Sequence, residues 1–173
     1  MSTVSDSLAQ GSFLFANHVI GEGVNAPVFD SSGNPLEGPR YRSAMYVGVA
    51  QDSLLFAAST PFLSGPEAGY FDGGLVINNT VSGGVLTWVR VAAWDATVSQ
   101  TFEGAQALGM GGYGESAIFS VLTGRPFAAP PTLPGFFENM QSFSLSPVVP
   151  EPSSFWILAV SLPLLWLVRR RNS

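Results

Sequence analysis

Six glycine-rich residues offer the first candidate chemistry. Gly109-Met110-Gly111-Gly112-Tyr113-Gly114 matches G-x-G-x-x-G, in which a glycine turn lets a pyrophosphate approach a helix N-terminus. That use needs a strand before the glycines and a crossover helix after them. Here Ser116 to Thr123 is rich in strand-forming residues and is closed by Gly124 and Pro126, so the stretch reads as a glycine loop. The chain contains no Lys, which excludes a Walker P-loop. Gly114-Glu115-Ser116 opens like a nucleophile elbow, but Ile118 stands where the last glycine belongs. His18 is the only His, so a Ser-His-Asp triad would have to use it; beside a strand it reads as structural.

Three other patterns point to binding. Asp30-Ser31-Ser32-Gly33-Asn34 resembles the start of a calcium loop, but Tyr41 occupies the position where an EF-hand needs its Glu, so a turn is expected. Asn78-Asn79-Thr80 is a glycosylation sequon by pattern and reads as a turn. Trp88 and Trp94 fall on one face of a strand with Arg90 between them. Exposed, they would make an aromatic platform for sugar rings; the competing expectation places both in the core. The absence of Cys excludes thiolate metal sites, iron–sulfur clusters and thiol catalysis. No metal site and no cofactor are expected.

The elements that position these residues are predicted to be strands. Gly (19) and Pro (13) are abundant and charged residues make up only 11%, a turn-rich composition that weakens helices. Strand-like stretches start at Ser12 and run over Tyr41 to Ala50, Ser53 to Ser59, Tyr70 to Asn78, Val85 to Trp94, Ser116 to Thr123 and Gln141 to Leu145. Phe102 to Leu108 reads as a helical turn or a loop. In the strongest strand, Val85, Thr87, Val89, Val91 and Ala93 share one face, and Leu86, Trp88, Arg90, Ala92 and Trp94 the other. Both faces are largely apolar, as expected for a strand covered on both sides. Some seven strands separated by Gly/Pro turns predict a mainly β fold, a single antiparallel β-sandwich-like domain over residues 12–146. The 173 residues suffice for one such domain and its core. Ahead of Pro150, four Arg face eleven acids, a net charge of −7. Such a body has no phosphate-neutralising surface, so no nucleic-acid partner is expected.

The composition then changes. Residues 147–154 form a Pro- and Ser-rich linker, and residues 155–173 read as a C-terminal transmembrane helix with a basic tail. Phe155 to Val168 is apolar apart from Ser161 and Pro163, and Arg169, Arg170 and Arg171 follow. Fourteen helical residues span about 21 Å against a hydrocarbon core of about 30 Å. Snorkelling Arg side chains, interfacial Trp156 and Trp166, and local bilayer thinning accommodate the difference. By the positive-inside rule the Arg cluster stays cytoplasmic, which places the body outside.

This tail resembles the PEP-CTERM sorting signal: a Pro-Glu-Pro motif (Pro150, Glu151, Pro152), an apolar span and a basic cluster, in that order over about the last 25 residues. The resemblance implies export to a Gram-negative cell envelope and recognition by an exosortase, a membrane enzyme acting at or near the motif. It also implies contact with membrane lipid through the apolar segment, at least transient inner-membrane anchoring, and possible release to the surface or matrix. Carriers often come from species that make exopolysaccharide. Asn25 to Asp30, Gly69-Tyr70-Phe71, Val91 to Asp95 and Gln141 to Leu145 are similar to the outer region of PEP-CTERM proteins without assigned activity. The family carries a secretory leader, whereas Met1 to Gln10 has neither a basic nor an apolar region. Residues 1–11 are therefore expected to lie outside the core, with the leader missing or the start mis-set. The expected function is a non-catalytic envelope or extracellular-matrix protein. The alternative is a carbohydrate-binding module that holds exopolysaccharide through Trp88 and Trp94. A hydrolase ranks third, because no carboxylate pair at a defined spacing can be located.

Overall fold

The computed structural model describes residues 10–147. The architecture is mainly β with antiparallel sheets. Its centre is an antiparallel sheet in the order β10-β8-β5-β6, formed by Phe119–Leu122, Leu86–Asp95, Tyr41–Gly48 and Leu55–Pro61. β9 (Tyr113–Glu115) extends it by pairing with the far end of β8. β1 (Gly11–Ala16) and β7 (Asp72–Asn78) form a separate antiparallel pair. Two single bridges join this pair to the large sheet: Ser12 with Gly124 just past β10, and Phe62 with Phe71 in the connection from β6 to β7. Small pairs complete the fold: β2 (His18–Val19) with β3 (Val24–Asn25), and β4 (Val28–Phe29), running parallel to β11 (Phe143–Ser144).

The core follows from the period-two pattern. Thr87, Val89, Val91 and Ala93 of β8 face inward, and Val89, Val91 and Ala93 pack with Met45 and Val47 of β5, Phe119 and Val121 of β10, and Phe13 and Phe15 of β1. Phe71 and Phe137 fill the space around Phe15, with ring centroids at 4.9 and 6.2 Å. Asn17, fully buried at the end of β1, holds the surrounding loops together. Its side-chain amide donates to the Ala26 (2.8 Å) and Gly69 (3.0 Å) carbonyls, and its side-chain oxygen accepts from the Phe71 amide at 2.7 Å.

The outer face of β8 is covered only at one end. Ala44, Tyr46, Ala92 and Trp94 form a second apolar cluster with Phe102 and Ala105 of α1 (Phe102–Leu108). The stretch left open between turn and loop in the sequence is thus a two-turn helix. Thr101 caps its start by accepting from the Gly104 amide at 3.1 Å, and Gly109 ends it in the left-handed conformation. Residues 1–11 were expected outside the core, but Gly11 is buried in β1 and its amide donates to the Val81 carbonyl at 2.8 Å. The Pro150-Glu151-Pro152 motif, the apolar segment with Trp156 and Trp166, and Arg169 to Arg171 lie outside the described residues. Among the described residues no helix is long and apolar enough to cross a membrane.

Candidate functional site

The outer face of the large sheet carries the exposed chemistry, and pairing register defines it. Directly paired residues share a face, so Trp88 lies with Ser120 of β10 and Gly48 of β5, Leu86 with Leu122, and Arg90 with Tyr46 and then Phe56. Three zones result. Next to α1 the face is closed by Trp94 and Phe102. In the middle, Arg90 spans the boundary. At the far end, Trp88 is half-buried, and Leu86 and Leu122 are each 64% exposed.

The middle zone holds α1 in place. The Arg90 guanidinium lies 4.9 Å from the Tyr46 ring centroid and 5.9 Å from that of Phe102, and pairs with the Glu115 carboxylate at 3.1 Å. The Tyr46 hydroxyl donates to the Glu103 carboxylate on α1. Burial raises the Tyr46 phenol well above its ordinary pKa, and the Glu103 hydrogen bond and charge push it further, so it remains a donor at any physiological pH.

The open zone continues into a groove of about 580 Å³ along β10. Leu86 and Leu122 of the sheet and Leu133 and Phe136 of the loop after β10 give it apolar lining. Arg125, Thr132, Glu138 and Asn139 add polar groups. The Asn139 side-chain amide donates to the Ser120 carbonyl at 3.3 Å, which holds the loop to β10, and the Thr132 hydroxyl accepts from the Arg125 backbone amide at 2.7 Å, which closes the loop on itself. Arg125 is seated by glycine. A Cβ on Gly84 would fall 2.7 Å from its Cδ, and one on Gly83 would fall 3.1 Å from its Cγ. Among the described residues the Arg125 guanidinium has no carboxylate partner.

The sequence-selected residues separate on this frame. Trp88 is half-buried and paired with Ser120, which lines the groove, but Trp94 is only 2% exposed, stacked edge-on against Phe102 with its indole N–H donated to the Ser99 carbonyl at 2.9 Å. The alternative of a surface platform made by both tryptophans therefore does not hold, because α1 covers Trp94; the competing expectation, both in the core, holds for Trp94 and not for the half-buried Trp88. The glycine motif has its helix in front rather than behind, since Gly109 terminates α1 and β9 follows. At Gly114 a Cβ would fall 2.6 Å from the Ser144 carbonyl, so that glycine serves close strand packing. Ser116 is buried; its hydroxyl donates to the Ala117 carbonyl and accepts from the Val91 amide. His18 stacks on Tyr70 with centroids 4.6 Å apart. Asp30 is tied into its own turn, accepting from the Ser32 and Asn34 amides and the Asn34 side chain; these bonds, that of the side chain foremost, lower its pKa. Asn78 accepts from the Thr80 amide and hydroxyl within the sequon turn. Among the described residues no three His, Asp or Glu side chains gather as a metal site.

The sequence did not single out Arg125, Glu138 or Asn139. Their signal was faint: a Pro-rich stretch that cannot pair as an interior strand, here folded as the loop facing β10. Neither a protein-family model, nor a curated protein, nor a solved structure matches the chain.

Proposed function

We propose that this chain is an exported, non-catalytic cell-envelope or extracellular-matrix protein, delivered by a sorting tail of PEP-CTERM type. One observation carries the reading. Pro150-Glu151-Pro152, the apolar run Phe155 to Val168 and the cluster Arg169 to Arg171 follow one another directly after the β domain. The last pairing of that domain lies just ahead of the motif, where the Ser146 amide donates to the Tyr113 carbonyl and the Gly112 amide to the Ser146 carbonyl. Backbone pairing of the β domain thus runs up to Ser146, shortly ahead of Pro150 in the sequence. In this reading the outer domain is a sandwich, with its core between the β10-β8-β5-β6 sheet and the β1-β7 pair. The non-catalytic part is supported by the engagement of Ser116, Asp95 and His18 in structural contacts.

Intact-mass and fractionation measurements on the natively expressed protein, with and without the exosortase gene, test this. Loss of the tail and departure from the inner membrane only when the enzyme is present support the reading. An intact chain in the membrane or cytoplasm of both strains refutes it. A second reading, a carbohydrate-binding module, is favoured by Trp88, part-exposed beside a groove with both apolar and hydrogen-bonding walls.

A further inference from the structure

Resting on the second reading above, we propose that the groove along β10 is a binding site for an uncharged hexose chain, with Trp88 on the neighbouring strand as a stacking surface next to it and Arg125, Glu138 and Asn139 as hydroxyl-binding groups. Four observations carry it. First, the size of the groove, about 580 Å³, falls inside the range of about 300–1,000 Å³ usual for ligand sites. Second, its walls match the two aspects of a pyranose ring. Leu86, Leu122, Leu133 and Phe136 present apolar surface to C–H faces, while Arg125, Glu138 and Asn139 present cation, carboxylate and amide to hydroxyls; Trp88, paired with the lining Ser120, stands next to them. Third, the polar groups are available. Gly83 and Gly84 seat the stem of Arg125, its guanidinium has no carboxylate partner among the described residues, and the Asn139 and Thr132 bonds hold the loop.

The fourth observation selects the charge of the ligand. Two carboxylates, Glu22 and Glu138, line the groove against one Arg. The described body carries four Arg and ten acids. A polyuronate or sulfated chain would meet a repulsive field, whereas a neutral chain meets none. A single Arg among carboxylates binds vicinal hydroxyls through paired N–H groups without requiring an anion.

The test is an NMR titration of the full chain in zwitterionic micelles. The probes are cellohexaose and a β-mannohexaose, with an alginate hexamer as the charged control. One of the neutral sugars is expected to shift the Trp88 indole and the Arg125 and Asn139 side-chain signals, leaving the buried Trp94 indole unmoved. Trp88→Ala and Arg125→Ala are each expected to weaken that binding about tenfold. The exposed Arg125 makes the second variant safe for folding. Neutral-sugar binding that ignores both variants removes the groove but leaves the carbohydrate reading standing. Preference for the alginate hexamer overturns the proposal through its charge argument. No response to any of the three sugars removes the proposal and the carbohydrate reading together. None of these outcomes bears on sorting, which the exosortase comparison decides.

Discussion

Replacing Asn17 is the sharpest perturbation of the fold, because one side chain ties down two loops through three backbone groups. In Asn17→Ala the Phe71 amide and the Ala26 carbonyl both lose the partner they have in the native protein, whereas the Gly69 carbonyl keeps the Val28 amide at 2.9 Å. Two orphaned buried groups at about 1–3 kcal/mol each give a loss of about 4 kcal/mol, a large part of the roughly 5–15 kcal/mol by which domains are stable. Asn17→Asp has the same shape but puts a carboxylate oxygen against two carbonyl oxygens. The charged form is disfavoured, so the carboxyl titrates above its usual pKa in the folded state. The sign follows: the folded state then binds more protons than the unfolded one, and stability rises as pH falls. Urea unfolding of the full chain, followed by circular dichroism from neutral to mildly acidic pH, measures both. Asn17→Asp should be the weaker variant at neutral pH and should regain stability towards about pH 5. A loss under about 0.5 kcal/mol in Asn17→Ala, or a flat pH profile in Asn17→Asp, would refute the account of Asn17 as a buried tie.

Asp95 makes the opposite pH prediction. Burial opposes its ionisation, but the Arg40 guanidinium, donating at 2.7 and 2.9 Å, and the Thr97 amide and hydroxyl lower its pKa overall. A lowered carboxyl pKa gives stability present above its unfolded value of about 3.9 and lost as pH falls through the folded one. Asp95→Asn should cost about 2 kcal/mol at neutral pH and flatten the acid limb of the wild-type stability curve, measured by the same unfolding assay. Trp94→Ala should cost about 3–5 kcal/mol by emptying the space under α1 and freeing the Ser99 carbonyl, a loss read as a lower urea midpoint.

Much of the β architecture was legible because alternation and turn residues are local signals. Val85 to Trp94 showed both faces of β8, and Gly/Pro punctuation separated its neighbours. What local pattern could not reveal was which residues sit beneath others. Trp88 and Trp94 have the same parity and similar neighbours in the chain, yet α1 returns over one and not the other. That return depends on Phe102, Ala105 and the Arg90 stack meeting across the fold. Asn17 reads as one more polar residue at a strand end; its importance comes from loops 9 and 54 residues away in sequence. Arg125, Glu138 and Asn139 likewise lie in stretches without periodicity, and only the closure of the loop over β10 brings them together.

The placement of the chain's two exits has a mechanical consequence. The first strand enters beside the start of β8, where Ser12 bridges Gly124 and the Val85 amide donates to the Thr123 hydroxyl. Ser146 leaves beside its end, through Tyr113, the partner of Trp94. Ten residues of strand, about 34 Å, separate these points. A domain tethered by its C-terminal side and gripped at the Leu86–Leu122 end would carry tension lengthwise along its most fully paired strand. Force in that direction strains the hydrogen bonds on both flanks of β8 together, in shear, instead of unzipping them in turn. For a protein fixed to a surface under flow, that geometry resists extension.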